Sequence, residues 1–408
     1  MMKSINILFL LLFPLLVYSQ KPDPYYSGLA KMEQKRYAEA VDELSGAINA
    51  DNTQSKVYFN RALCHAELGQ YSAAISDLLI AEKLRKYSGS YQLARIYAVT
   101  GKSDSAVFYL ERHLSSSSRL PESTIKLDPA FNSLEDSPLW KNLWNKEWYS
   151  DFEILIAEVK YMIKSRQYID ALNLIDQNLE KYAHHSQLYA ARGEILLIQE
   201  NFSSAATAYS KALTITKTEP EYYIRRATAL KKMGKNDEAL NDLNKAIRIE
   251  PESFNLYLER SWLFNELKMY RQSLEDISFY LELFPEDGRA IYQKGRIYFS
   301  QGSYLKALEN FNKCLAIDQS KAEYFAARGD TYLKTKTYRS AIRDYGMSLD
   351  LKADNPDVYL NKGLARYYLN DKDGACSDWQ KAIRYGSVKA HELLNAHCVN
   401  TNQDHLSE

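Results

Sequence analysis

The sequence predicts an all-α superhelix: a solenoid of stacked helical hairpins in two blocks, closed by capping helices. Three observations predict it. A small residue returns every 34 positions, at Ala171, Ala205, Ala239, Ser273, Ala307, Ala341 and Ala375. Four positions after each stands an apolar or aromatic residue: Ile175, Tyr209, Leu243, Ile277, Phe311, Tyr345 and Trp379. Gly (15) and Pro (10) are scarce in 408 residues while Tyr (32) is abundant, which suits long helices joined by short turns. A chain of this length is too long for one compact core, and a hairpin that cannot bury its own face must stack on the next.

The N-terminal residues 1–20 differ from all that follows. Lys3 supplies a positive start, and Ile5 to Val17 form an apolar run broken only by Asn6 and Pro14. Val17-Tyr18-Ser19 then offers a cleavage site before Gln20 or Lys21. The run is shorter than the roughly 20 residues of a spanning helix. The expectation is a cleavable signal peptide, an extracytoplasmic (periplasmic or secreted) protein, and no transmembrane segment in the mature chain. An uncleaved anchor is the alternative. No Cys follows the run, so a lipid anchor is not indicated.

Residues 21–120 predict a block of three repeats. Gly28, Tyr37, Ala40, Leu44 and Ala47 form one copy, and Ala62, Gly69, Tyr71, Ala74, Leu78 and Ala81 the next. A weaker third copy uses Ala94, Tyr97, Gly101, Ala106 and Leu110. The phase is lost over a capping or linker segment, 121–150, which carries Pro121, Asp128-Pro129 and Pro138. Trp140, Trp144 and Trp148 there have helical spacing, as a hydrophobic cap or as an exposed docking stripe.

Residues 151–389 predict seven further repeats. Their first helices carry small residues at Gly193, Ala227, Ser261, Gly295, Gly329 and Gly363, with Val159 in the first copy. Their second helices begin near Tyr168, Phe202, Tyr270, Tyr304 and Tyr338 and carry a third packing residue at Asn178, Ala212, Ala246, Tyr280, Cys314, Ser348 and Ala382. Steps of 3, 4 and 7 place these residues on one helix face, where small ones admit a neighbour and large ones fill the gap beside it. Gly234 and Gly302 suit the turn inside a hairpin, and Pro251 and Pro285 end the second helix. Val388 to Cys398 reads as the core of a C-terminal capping helix over 388–400.

This pattern resembles the tetratricopeptide repeat (TPR) family over nearly all of residues 21–400, in ten copies. Asp128 to Trp140 resembles the closures that end such blocks in bacterial proteins. The resemblance implies that the first helix of each hairpin lines a concave groove where a protein or peptide lies. Carried over by position, the groove residues are Arg225, Lys231, Trp262, Asn265, Tyr292, Arg296, Phe299, Asp330, Tyr367 and Tyr368, centred on Trp262, Tyr292 and Arg296. Aromatic and Arg side chains dominate protein interfaces. Some relatives clamp a C-terminal carboxylate with Lys and Asn, but Tyr25, Leu29, Phe59 and Leu63 stand there in the first block, so that specificity is not expected.

Chemistry is sparse. Lys+Arg and Asp+Glu are both 52, giving no net charge and no footprint of a nucleic-acid binder. Gly101-Lys102-Ser103 looks like the end of a phosphate loop, yet Ile96 stands where its first Gly belongs. His391, His397, Cys376 and Cys398 lack paired-cysteine zinc spacing, so no metal and no cofactor are expected. The ends of the last two helices should instead bring Cys376 and Cys398 into a disulfide, which an exported protein can keep. Cys64 and Cys314 fall at packing positions. Arg61, Arg226, Arg260, Arg328 and Lys362 each precede an Asp by 16 residues (Asp77, Asp242, Asp276, Asp344, Asp378), whereas Arg192 and Lys294 face Ala208 and Asn310. Such repeated pairs read as structural ion pairs stitching the hairpins, each worth about 0.5–1 kcal/mol if exposed. The functional expectation is an exported, non-enzymatic scaffold or adaptor that binds protein or peptide partners. The alternative is a structural subunit of a cell-envelope assembly using end or convex surfaces.

Overall fold

The computed structural model describes residues 22–398, and among these there are helices and no strands. They fall into two compact units, divided between Ser116 and Ser117. The first unit holds three hairpins: α1 (Pro24–Glu33) with α2 (Tyr37–Ala50), α3 (Ser55–Glu67) with α4 (Tyr71–Leu84), and α5 (Ser90–Val99) with α6 (Ser103–Leu114). The second opens with α7 (Glu122–Lys126), a 3-10 turn (Pro129–Leu134) and α8 (Pro138–Trp144). Seven hairpins follow: α9 (Asp151–Lys164) with α10 (Tyr168–Asn178), α11 (Ser186–Ile198) with α12 (Phe202–Ile215), α13 (Pro220–Lys232) with α14 (Asn236–Ile249), α15 (Asn255–Glu266) with α16 (Tyr270–Leu283), α17 (Gly288–Ser300) with α18 (Tyr304–Ile317), α19 (Ala322–Lys334) with α20 (Tyr338–Leu351), and α21 (Pro356–Tyr367) with α22 (Lys372–Arg384). The last element is α23 (Val388–His397). Residues 1–20 and 399–400, which carry the expected signal peptide and the end of the expected capping segment, lie outside the described residues.

Local sequence accounts for the helix ends. Pro24, Pro220 and Pro356 occupy first-turn positions, where their missing N–H costs nothing. Ser150 and Glu153 form a capping box on α9, and Asp287 accepts the first free N–H groups of α17. Each hairpin turn of the second unit contains one residue with positive φ. Gly234 (+73°) and Gly302 (+82°) supply it where the sequence predicts a turn. Arg166, Glu200, Lys268, Lys336 and Asn370 adopt it too, at φ between +58° and +62°. The hairpin register therefore imposes this conformation on L-residues that would not choose it.

Inside a hairpin the helices meet through size matching. A Cβ built on Gly193 would lie 2.7 Å from the Tyr209 ring, on Gly295 2.6 Å from Phe311, and on Gly329 2.8 Å from Tyr345. Gly363 meets Trp379 in the same way. In each case the ring comes sixteen residues after the glycine. Where that position is Ala62, Ala227 or Ser261, the residue sixteen on is aliphatic: Leu78, Leu243 or Ile277. In the second unit bare backbone thus receives a ring, whereas Gly28 of the first unit receives Leu44 at 2.7 Å, and Ala or Ser receives a branched chain; all of these large residues except Tyr209 (2%) have no exposed surface. Ser273, which departs from the small apolar pattern, is fully buried opposite Ser261. Ser261 Oγ donates to the Ser273 carbonyl at 2.9 Å, and Ser273 Oγ to the Ser261 carbonyl at 2.6 Å, so the substitution leaves no buried hydroxyl unsatisfied.

The three tryptophans do not form the single stripe that their spacing suggests. Trp140 is buried against Phe131 (5.7 Å between ring centroids) and meets Trp144 edge-on at 5.6 Å. The helix stops at Trp144, and Trp148 turns back to donate its indole N–H to the Leu143 carbonyl at 2.9 Å. The segment is tied to α9 by an Arg119–Glu153 ion pair (2.7 Å), and Tyr149 folds back onto it by donating to the Leu120 carbonyl (2.7 Å).

Size matching makes a quantitative expectation. Gly295→Ala should cost about 1–3 kcal/mol through overpacking against Phe311, and Phe311→Leu should recover part of that loss in the double variant. Urea unfolding of the four proteins in a double-mutant cycle checks it, since independent sites would give additive losses.

Candidate protein-interaction face

The first helices of consecutive hairpins touch one another: α15 meets α17, and α17 meets α19. Equivalent positions therefore run as files along one layer. One residue past the small position comes the file Lys160, Glu194, Thr228, Trp262, Arg296, Asp330, Leu364, and four past it Lys231, Asn265, Phe299, Leu333, Tyr367. Most of the predicted groove residues lie on these two files. Trp262 is 46% exposed and lines an open cleft of about 450 Å³ with Thr228, Lys231, Lys232, Gly234 and Asn236. The Lys231 ammonium lies 5.6 Å over the indole ring and 3.6 Å from Glu259. Arg296 is exposed and donates to the Tyr292 hydroxyl at 3.2 Å, while the Tyr292 ring stacks on Tyr324 at 5.0 Å. Arg225 is held by Glu221 in its own helix and shares a cleft with Lys160 and Glu194. Tyr368 is 55% exposed and stacks on Tyr338.

Other predicted residues are occupied within the fold. Phe299 is half-buried against Tyr304 and the core around Phe311. Tyr367 packs against Trp379 and, at 4.5 Å, against His397 of the capping helix. The Asn265 side-chain oxygen is buried without a hydrogen-bond partner. Asp330 Oδ1 accepts from the Tyr345 hydroxyl at 2.7 Å and from Asn361 Nδ2 at 2.9 Å. Burial pushes the Asp330 carboxyl above the usual carboxylate range, and these two donors only partly oppose it. Asn361 escaped sequence reasoning because it reaches Asp330 from the next hairpin, and Tyr345, read as a packing residue, adds its hydroxyl from within the same hairpin.

The repeated charge pairs lie elsewhere and are stronger than exposed stitches. Arg226 clasps Asp242 with two hydrogen bonds of 2.7 Å, and Arg61, Arg260 and Arg328 clasp Asp77, Asp276 and Asp344 likewise. The aspartates are buried, Asp242 and Asp344 to 1% exposure. The value for an exposed pair therefore does not apply: removing one partner of a buried pair strands the other, which costs about 3–5 kcal/mol. Each arginine also reaches back sixteen residues into the preceding hairpin, to Ser45, Ser210, Asn244 or Asn312 at 2.8–3.0 Å. Arg192 pairs with Asp176, and Lys294 donates to Ser278, at the same step. Lys362 sits 3.8 Å from Asp378, which Arg366 also approaches at 3.3 Å.

Family models described as tetratricopeptide repeats match residues 25–91, 157–220 and 220–253, and one described as a TPR repeat matches 295–336. The chain is a tetratricopeptide repeat protein. A tetratricopeptide repeat protein from Parabacteroides merdae is similar at a TM-score of 0.51, with 21% identity over 60% of this chain and 97% of that one, a likeness of fold. The C-terminal part of a TPR repeat-containing protein from Cytophaga hutchinsonii gives 0.48, with 15% identity over 58% of this chain and 98% of its own. Yeast Tom70 gives 0.40, with 12% identity over 91% and 93%. No curated protein matches the sequence.

In this TPR protein Cys376 and Cys398 are joined by a disulfide, with Cα atoms 5.8 Å apart. The bond fixes the end of α23 to α22. Cys64 and Cys314 are buried, and burial pushes their thiols up, to about 11 and about 12. Among the described residues no three His, Cys, Asp or Glu side chains are grouped to hold a metal, and no helix is long and apolar enough to cross a membrane.

Asp330 carries a pH-dependent expectation. Its carboxyl binds a proton more tightly folded than unfolded, so ionisation costs stability as pH rises from the unfolded pKa through the folded one. Asp330→Asn keeps an oxygen for Tyr345 and Asn361 and removes the charge. At pH 7 it should unfold at higher urea concentration than the parent, with the difference closing as pH falls toward about 4. A parent more stable than the variant at pH 7 would contradict this.

Proposed function

We propose that this TPR protein is an exported scaffold or adaptor that holds a protein or peptide partner in a groove lined by its first helices. One observation carries the reading: the first-helix layer of residues 220–368 keeps exposed an indole, a guanidinium and a phenol ring (Trp262, Arg296, Tyr368), while the arginines that hold the stack together are spent on buried aspartates. Exposed aromatic and Arg side chains that no core or clasp uses are the usual anchors of protein recognition. The apolar N-terminal run before Gln20 supports export, as does a disulfide, a bond that persists in oxidising compartments.

A second reading, a structural subunit that docks by an end surface, has its own support. Ile154, Tyr161 and Ile169 of the first hairpin in the second unit are all more than half exposed. A photo-crosslinking side chain placed at 262 or at 161 in living cells separates the two. The groove reading expects discrete adducts from position 262; adducts from position 161 alone would overturn it in favour of end docking.

Export has a simpler check. The protein purified from its native cells should begin at Gln20 or Lys21 by N-terminal sequencing and be recovered outside the cytoplasm. A mature chain that keeps residues 1–19 in the cytosolic fraction would remove that part of the proposal.

A further inference from the structure

Trp262, Arg296 and Asp330 occupy the same position on three successive first helices, each directly after the small residue that packs its hairpin (Ser261, Gly295, Gly329). Their chemistry differs in order: an exposed indole, a cation, a carboxylate. Neither charge is neutralised within the fold. Arg296 donates only to the Tyr292 hydroxyl and has no ion-pair partner among the described residues. Asp330 is fixed through Oδ1 by Tyr345 and Asn361, whereas Oδ2 has no hydrogen-bond partner among the described residues and is not fully enclosed, so one oxygen of a half-buried, immobilised carboxylate is left to pair. Arg296 is near enough to attract Asp330 without pairing, and Asp357, on the next first helix, is near enough to repel it. The surroundings of Asp330 are thus acidic on one side, and those of Trp262 carry Lys231, which Glu259 approaches at 3.6 Å, and Lys232.

Neighbouring helices in contact pack with axes roughly 8–10 Å apart. A peptide in the polyproline-II conformation rises about 3.1 Å per residue with three residues per turn, so it covers one such step in about three residues and turns every third side chain to the same face. A helical ligand, at about 1.5 Å per residue, would need about six. We infer that the file Trp262–Arg296–Asp330 takes a peptide in the polyproline-II conformation bearing an apolar, an acidic and a basic side chain, in that order along the file and three residues apart. The inference rests on the groove reading above and specifies its ligand. The apolar side chain covers the indole face, the carboxylate pairs with the Arg296 guanidinium, and the ammonium or guanidinium meets Asp330 Oδ2. A charge met by a fixed, pre-oriented partner loses less freedom on binding than one met by a mobile side chain.

Display selection of random twelve-residue peptides on the full, oxidised chain tests this. The expected enrichment is apolar, acidic and basic residues at spacing three, in either chain direction. Selection on Asp330→Asn should lose the basic preference alone, and selection on Arg296→Gln the acidic preference alone. A selected peptide should bind Asp330→Asn about tenfold more weakly, the loss of one charge-assisted hydrogen bond. Cooperative urea unfolding, with the Arg296→Gln midpoint matching the parent's and the Asp330→Asn midpoint at or above it, establishes that both variants are folded. Enriched peptides with spacing near six, or with charge preferences that neither variant moves, overturn the inference while leaving groove binding intact if Trp262→Ala still abolishes capture. Failure to enrich any peptide overturns the inference and counts against the groove reading as well.

Discussion

The structure depends on the close contact inside each hairpin between a packing residue of the first helix, most often Gly, Ala or Ser, and the large residue sixteen positions on, a ring in four hairpins of the second unit. Gly193, Gly295, Gly329 and Gly363 let a first helix lie so close to its partner that a single methyl group would collide with Tyr209, Phe311, Tyr345 or Trp379. That contact fixes the distance and rotation of the two helices, because a ring fills its slot in one orientation and the residues at steps of 3 and 4 follow. Hairpins with Ala or Ser at the same place use Leu or Ile, keeping the filled volume similar. Stacking then repeats because each hairpin presents the same incomplete face to the next.

The buried clasps add direction to this stack. A hydrophobic face alone could slide, but a guanidinium bonded twice to the aspartate of its own hairpin and once to the preceding hairpin has a single position that satisfies all its partners. Where Arg gives way to Lys at 362, the planar fork is lost and Arg366 supplies a second cation to Asp378. This repeat lies next to the capping helix, whose own buried contact with the core is small: Ala390 is its one buried residue. The disulfide to Cys398 holds covalently what little apolar area would hold weakly.

With packing and register assigned to these internal contacts, the first-helix layer is free to vary. It carries Trp, Arg, Asp, Thr, Glu and Lys at one equivalent position, the diversity expected where neither core nor clasp dictates the residue. The same freedom separates recognition from stability, since Trp262 and Arg296 can change without opening the hairpins beneath them. Asp330 is the exception: its carboxyl is part anchor and part surface, and its ionisation is therefore coupled to folding.

The helical repeat, its 34-residue period, the small-and-large packing positions and the sixteen-residue spacing of the charge pairs were all legible in the sequence, because each arises from contacts within one hairpin and so recurs in phase. The expected meeting of Cys376 with Cys398 is local in the same sense. What the packing buries or redirects was not legible. Sequence spacing could not say that the clasped aspartates are buried, that Asp330 is gripped by Tyr345 and Asn361, that Phe299 and Tyr367 serve the core, or that Trp148 leaves the helix of Trp140 and Trp144. Nor could it say that Arg166, Glu200, Lys268, Lys336 and Asn370 take up the turn conformation of glycine. The physical reason is that burial depends on which neighbour covers a residue, and the turn angles on how two helices close against each other; both are decided by the assembled packing and leave no period in the sequence.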